Sequence, residues 1–110
     1  MHLVFLTAFQ DEPFGPAVDR KREAALLKSA ILLALETAAI SADVGVGFSE
    51  IEVGANIRTS DADATFAAVA PVLRASPFCR NGYVLIRYGA PGAPERQVSL
   101  AEPADKASLD

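Results

Sequence analysis

Few side chains in this sequence could carry chemistry, and two of them are unique in the chain. His2 is the single histidine and Cys79 the single cysteine among 110 residues. His2 could act as a base or a metal ligand, but metal sites need several ligands and none is suitably spaced nearby. Cys79 could be a nucleophile or a redox sensor, since the neighbouring Arg80 would favour its thiolate. We interpret His2 as a surface residue and Cys79 as a packed or half-exposed thiol.

Two acidic pairs are the next candidates. Asp11 and Glu12 follow the end of an apolar segment, a position where loops of α/β proteins often build sites. Asp61 and Asp63 could pair as carboxylates for acid–base work. Both also suit the start of a helix, and capping explains Asp61 completely.

Two glycine-containing segments, 45–47 and 89–94, do not have the spacing of phosphate loops. Neither combines a strand-to-helix turn with G-x-G-x-x-G or with a following Lys-Ser/Thr. The sequence therefore predicts no catalytic residues, no metal site and no cofactor. The alternative is a small enzyme or a ligand-binding domain for an anionic small molecule. Its candidate residues are Asp11, Glu12 and His2, with Arg80 or Arg87 gripping the anion.

A mixed polar surface is the strongest functional candidate. Residues 48–58 alternate between apolar and polar side chains, which predicts a strand with one face in water. Tyr and Arg are enriched at recognition surfaces. Ordinary cross-strand pairing, such as Glu52 with Arg87, would explain the same residues without a function. The candidate interaction surface consists of Glu50, Glu52, Asn56, Arg58, Tyr83 and Arg87.

One long apolar helix must position these residues. The segment 22–40 has no Gly or Pro and is rich in Ala and Leu, so helix propensity is high. Asp19 is a plausible N-cap, and the helix should end near Ser41. Its expected core stripe consists of Leu27, Ile31, Ala34, Leu35 and Ala38. A second apolar stripe consists of Leu26, Leu33 and Ile40.

The second stripe has two explanations. A second helix and the chain ends could cover it, or it could meet a symmetry mate in a homodimer, the commonest kind of oligomer. We take Leu26, Leu33 and Ile40 as the candidate dimer face. A membrane span is not expected, since Lys28 and Glu36 interrupt a run shorter than the roughly 20 residues that a bilayer needs.

The remaining segments predict strands and a second helix. Both alternating sets in the strand 2–10 contain large apolar residues, which is typical of a strand covered on both faces or covered by another chain. Pro71 predicts a kink or an early break in the second helix. The other expected elements are a loop at 11–18, the second helix at 62–75, and a hairpin of strands at 83–88 and 95–101.

The resulting order, β-α-β-α-β-β, predicts a two-layer sandwich of the α+β or α/β class. We expect a four-stranded mixed sheet with both helices on one face. Right-handed crossovers would place the first three strands side by side in parallel, with the fourth antiparallel at an edge. Residues 1–101 should form a single α/β domain, and residues 102–110 a disordered acidic tail.

Composition excludes some partners and indicates a compartment. The net charge of −4 and the pI near 4.9 argue against nucleic acid, because such binding depends on clustered Lys and Arg. A single cysteine permits no intrachain disulfide and fits a reducing compartment. The apolar N-terminus lacks a cationic leader, so we interpret it as a strand and not as a signal peptide. We expect a cytoplasmic protein.

The C-terminal half resembles part of a family of small uncharacterised bacterial α/β proteins. The resemblance rests on an acidic alternating strand, a D-x-D-A-x-F helix start, P-V-L within that helix, and R-Y-G before a glycine-rich hairpin. In this sequence these elements are Glu50 with Glu52, 61–66, 71–73 and 87–89. It covers about half of the chain and implies no activity and no catalytic residues.

The sequence therefore predicts a small non-enzymatic protein-interaction module that forms a homodimer. Binding would use the open sheet face or an acidic edge. An immunity-type protein that neutralises a basic toxin would fit the charge, the size and the lack of chemistry.

Overall fold

The computed structural model describes residues 1–10, 15 and 19–101. These residues form five strands and two helices in the order β-α-β-β-α-β-β. The elements are β1 (His2–Phe9), α1 (Arg20–Thr37), β2 (Ala42–Phe48), β3 (Glu52–Thr59), α2 (Ala62–Ala75), β4 (Tyr83–Arg87) and β5 (Glu95–Ser99). The expected segments 11–18 and 102–110 lie almost wholly outside the described residues.

The five strands form one sheet in the order β2-β3-β1-β4-β5, and every neighbouring pair is antiparallel. Both helices pack on one face of this sheet around a single buried core. The α+β class and the two-layer arrangement are therefore confirmed. The four-stranded mixed sheet with three parallel strands is wrong. The observed order is the split β-α-β topology of ferredoxin-like domains, with β5 added at one edge.

The correction comes from β2, a strand that is absent from the expected order of elements. Its residues Ala42, Val44, Val46 and Phe48 pack towards the core and alternate with Asp43 and two glycines. The chain then returns through residues 49–51 into β3, so the two strands are antiparallel. β3 separates β2 from β1, and the crossover through α1 joins parallel strands that are not neighbours.

Helix α1 begins as expected and ends earlier. The Asp19 side chain accepts a hydrogen bond from the Arg22 backbone N–H at 3.1 Å, which confirms the N-cap. At the other end the N–H groups of Ala39 and Ile40 donate to the carbonyls of Glu36 and Leu35. This is a Schellman motif, and it places Ala39 at φ 59°. The expected end near Ser41 is therefore wrong.

Helix α2 has the expected bounds. The Asp61 carboxylate accepts from the Ala64 N–H at 3.1 Å, which confirms this cap as well. Within the turn, the buried hydroxyl of Thr65 donates to the Thr59 hydroxyl at 2.8 Å. The helix continues through Pro71 to Ala75, so the expected early break is wrong. Pro71 is exposed, and water can solvate the carbonyl that its missing N–H leaves free.

Gly82 marks the closest approach between β1 and the chain entering β4. An added Cβ atom at Gly82 would lie 2.5 Å from the Thr7 carbonyl oxygen and 2.6 Å from the Ala8 Cβ atom. The Gly82 carbonyl also accepts from the Leu100 N–H at 2.9 Å. A glycine is required here because no side-chain atom fits between the two backbones.

Candidate functional site

The face of the sheet opposite the helices is open within the described residues, and we call it the open face. Cross-strand neighbours share a face, so the register identifies its members. The central strip is apolar, with Phe5 beside Leu85 and with Leu3 one pair further along β1. All three side chains are only half-buried. Both alternating residue sets of β1 contain large apolar residues, as the sequence indicated. One set packs in the core, and the other contributes to this strip.

Polar side chains border this apolar strip on both sides. Glu52, Asn56 and Arg58 lie on β3, and Tyr83 and Arg87 lie on β4, all on the open face. Glu50, the remaining member of the expected surface, is exposed in the connection before β3. The fold thus brings five of the six residues to one face and places the sixth beside it.

Cross-strand pairing of Glu52 with Arg87, the alternative explanation of this surface, does not occur. β1 separates β3 from β4, and Glu52 lies opposite Phe9 whereas Arg87 lies opposite Leu3, at the other end of β1. The open face therefore has an acidic end, with Glu50 and Glu52, and a second end with Arg58 and Arg87. We call this second end the basic end, although Asp43 and Glu95 are the outer cross-strand neighbours of its arginines. Within the described residues the one ion pair is Arg96–Asp63 at 3.4 Å, and it lies elsewhere.

A shallow groove lies on the β2–β3 side of the apolar strip. Gly47 and Gly54 are cross-strand neighbours on the open face, and neither fills the space above the backbone. The groove has a volume of about 360 Å³ and is lined by Phe5, Gly47, Phe48, Ser49, Glu52, Gly54, Ala55 and Asn56. It provides space for a side chain of a bound partner next to Phe5.

The outer surface of the helix layer carries the second set of candidates. Leu26 and Leu33 are 51% and 63% exposed and lie two helical turns apart. Each borders an apolar groove between the helices, of about 390 Å³ beside Leu26 and about 540 Å³ beside Leu33. Ile40 does not belong to this surface. It lies beyond the helix end, where the Schellman motif turns it onto the core.

His2 has a structural role that the sequence did not indicate. Its Nδ1 atom accepts a hydrogen bond from the Ala62 backbone N–H at 3.0 Å, so in this arrangement the ring proton is on Nε2. The ring also packs edge-on against Tyr88, with centroids 5.6 Å apart. His2 thus satisfies one free N–H at the start of α2, and its ring lies on the helix side of the sheet.

The two acidic candidates within the described residues, Asp61 and Asp63, have different contacts and do not form a carboxylate pair. The Asp63 carboxylate accepts from the Tyr88 hydroxyl at 2.7 Å and pairs with Arg96, while Asp61 caps α2. Asp11 and Glu12 lie outside the described residues. Within the described part of the chain, no three His, Cys, Asp or Glu side chains are grouped to hold a metal ion.

Cys79 is buried, and burial raises the pKa of its thiol, although a hydrogen bond with the Ser76 side chain acts in the opposite direction. Arg80 is exposed in the following turn. A buried thiol that stays protonated is a poor nucleophile. The packed alternative of the sequence analysis is therefore the one observed.

We predict that Cys79 reacts with a thiol reagent at least about a hundredfold more slowly in the folded protein than in urea, because reaction requires local opening. The chain has one cysteine, so the labelling rate followed by mass spectrometry reports on this residue alone. Equal rates in the two conditions would contradict the prediction.

Comparison with known proteins adds no assignment. No family model, no curated protein and no solved structure matches this chain. No helix in the described part of the chain is both long and apolar enough to cross a membrane. The candidate site is therefore defined by geometry, as two surfaces on opposite sides of the fold.

Proposed function

We propose that this protein is a non-enzymatic protein-interaction module that acts as a homodimer. Its open face binds another protein, and the outer surface of its helix layer binds a second copy of the chain. The observation that carries the proposal is the apolar strip of Leu3, Phe5 and Leu85, which crosses a sheet face that no element of the described chain covers.

The composition of the open face supports a protein partner. Protein interfaces have an apolar centre and a polar rim, with Tyr and Arg enriched among the residues that contribute most to affinity. Here the apolar strip is the centre, and Tyr83, Arg58 and Arg87 stand around it. The backbone beneath is an antiparallel sheet with β1 paired on both sides, so the surface is organised before the partner arrives.

The charge of the open face favours a partner whose surface carries both signs. An immunity-type role against a basic toxin would depend on the net charge of −4. The open face itself has acids at one end and arginines at the other. Several acidic residues lie outside the described residues, namely Asp11, Glu12, Glu102, Asp105 and Asp110. A partner whose surface carries both positive and negative charges therefore suits the open face better than a strongly basic partner.

The homodimer is supported by the shape of the helix layer. Leu26 and Leu33 protrude from α1. The groove beside Leu33 is lined largely by small residues such as Ala30, Ala34 and Ala68. Protruding leucines and shallow grooves on one surface are the parts of an isologous contact, in which each copy inserts its leucines into the other's grooves.

The binding role of the open face is tested by exchanging its charges. We predict that Glu52→Lys combined with Arg87→Glu abolishes capture of a specific protein from native cell extract. The double change keeps the net charge. Both side chains are half-buried, and Arg87 donates a hydrogen bond to the Gly89 carbonyl, so circular dichroism must first show that the double variant is folded. The matched control makes the same exchange on exposed residues of the helices, Glu36→Lys with Arg74→Glu. Capture that is unaffected by the sheet-face exchange would refute the proposal.

A further inference from the structure

A second cavity lies at the basic end of the open face, at the end where β1 begins. Its volume is about 430 Å³. Unlike the groove beside Phe5, it contains two cationic side chains. The lining consists of Met1, His2, Leu3, Asp43, Arg58, Arg87, Gly89 and Ala90.

The two arginines flank Leu3 in a single row across the sheet. Leu3 is the cross-strand neighbour of Arg58 on one side and of Arg87 on the other. Adjacent strands are about 4.8 Å apart, so the two arginine Cα atoms are separated by roughly 10 Å. Both side chains line the same cavity, which places their guanidinium groups within reach of one small ligand.

Neither guanidinium forms an ion pair with a carboxylate of the described residues. Asp43 and Glu95 are the outer neighbours of Arg58 and Arg87 in the same row. Yet the one ion pair of the described chain joins Arg96 to Asp63. Among the lining residues two arginines face the single carboxylate of Asp43, and Glu95 lies outside the lining.

The guanidinium of Arg87 is also held in place. Its Nε atom donates a hydrogen bond to the Gly89 carbonyl at 2.9 Å, and the side chain is half-buried. This leaves the two terminal nitrogens available, and a planar donor pair suits the two oxygens of a carboxylate or phosphate. Fixing the side chain beforehand lowers the entropy cost of binding.

We propose that Arg58 and Arg87 together bind one oxyanion, the carboxylate or phosphate group of a small molecule, whose body rests on Leu3. This ligand site goes beyond the proposed protein-interaction role and does not depend on it. If the two arginines had only a structural role, their apolar stems would cover Leu3. Lysine has a similar apolar stem and the same charge, so it could then replace either arginine without loss.

The test is a titration of the isolated protein with inorganic phosphate and, separately, with acetate, followed by backbone amide NMR shifts in low-salt buffer. We expect saturable shifts at residues lining the cavity with a dissociation constant below about 10 mM for at least one probe. Saturation by phosphate alone would identify a phosphoryl ligand, and saturation by acetate a carboxylate ligand.

Variants separate the site from general electrostatics. Arg58→Gln and Arg87→Gln should each weaken binding by about tenfold or more, because each removes a charge-assisted donor pair. Arg58→Lys should also weaken it several-fold, since a lysine cannot present two parallel donors. Arg74→Gln, on the helix side, should leave it unchanged. The proposal is overturned if neither probe saturates, or if the glutamine variants bind as the wild type does. Neither outcome decides whether the open face captures a protein partner, because the charge-exchange experiment tests that role separately.

Discussion

Replacing Leu33 with glutamate should convert the proposed homodimer into a folded monomer. Leu33 is 63% exposed at the centre of the helix-layer surface, and in an isologous contact the change occurs twice per dimer. Burying one leucine is worth about 1.5–3 kcal/mol. We therefore expect the dissociation constant to rise by roughly two to four orders of magnitude, before any cost of burying the new carboxylate.

The matched control for Leu33→Glu is Leu32→Glu on the same helix. Leu32 is 42% exposed but faces a different cavity, beside Leu35 and Ile40. Light scattering over a dilution series should report a dimer for the wild type and for Leu32→Glu, and a monomer for Leu33→Glu. A wild-type chain that is monomeric at all concentrations would remove the dimer from the proposed function.

Gly82→Ala should be the most damaging small substitution in the described chain. The added Cβ atom would lie 2.5 Å from the Thr7 carbonyl oxygen and 2.9 Å from the Ala8 Cα atom. These are backbone atoms of the central strand, so they cannot move aside as a flexible side chain would. Overpacking typically costs about 1–3 kcal/mol, and we expect the upper end of this range. The melting temperature should then fall by roughly 10–20 °C.

Gly47→Ala is the control for this prediction, since an added Cβ atom at Gly47 would meet nothing within 4 Å. Gly47 also lies within a strand, where glycine is less favourable than alanine by about 0.5–1 kcal/mol. Thermal unfolding followed by circular dichroism should therefore show an unchanged or raised midpoint for Gly47→Ala. Equal midpoints for Gly82→Ala and the wild type would show that the two backbones can separate without cost.

The helices were predictable because their signals are local. Asp19 and Asp61 are aspartates placed directly before long helix-forming segments, and each caps its helix through its own side chain. Three members of the expected core stripe of α1, Leu27, Ile31 and Leu35, repeat at helical spacing and are buried. Of the other two, Ala34 is half-buried and Ala38 is exposed. The end of α1 was not predictable in this way, because Ala39 adopts a left-handed conformation that usually signals glycine.

The sheet was harder to predict than the helices. The errors in its topology have one source, the missed strand β2. Val44, Val46 and Phe48 alternate as a strand should, but Gly45 and Gly47 between them also fit a turn. Without β2, each connection between the first three expected strands contained a helix, and the crossover rule then implied parallel neighbours. Missing this one short strand therefore reversed the expected direction of every later strand relative to β1.

Only part of the open face could be predicted from the sequence. Alternation is a local property, so Glu52, Asn56 and Arg58 could be assigned to one face from the sequence. That Arg58 and Arg87 flank Leu3 depends on the strand order, which no local pattern specifies. Because the strand order was missed, pairing of Glu52 with Arg87 stood as an alternative explanation of this surface.

The central position of β1 has a consequence for protein synthesis. β1 is made before both of its neighbours, so the middle of the sheet cannot close until β3 and β4 have left the ribosome. At about 5–20 residues per second, its apolar side chains, including Leu6 and Phe5, remain without their partners for several seconds. A nascent chain in this state is a natural substrate for chaperones. A truncated chain that ends before β4 would have one edge of β1, its most apolar strand, unpaired. Such a product should aggregate.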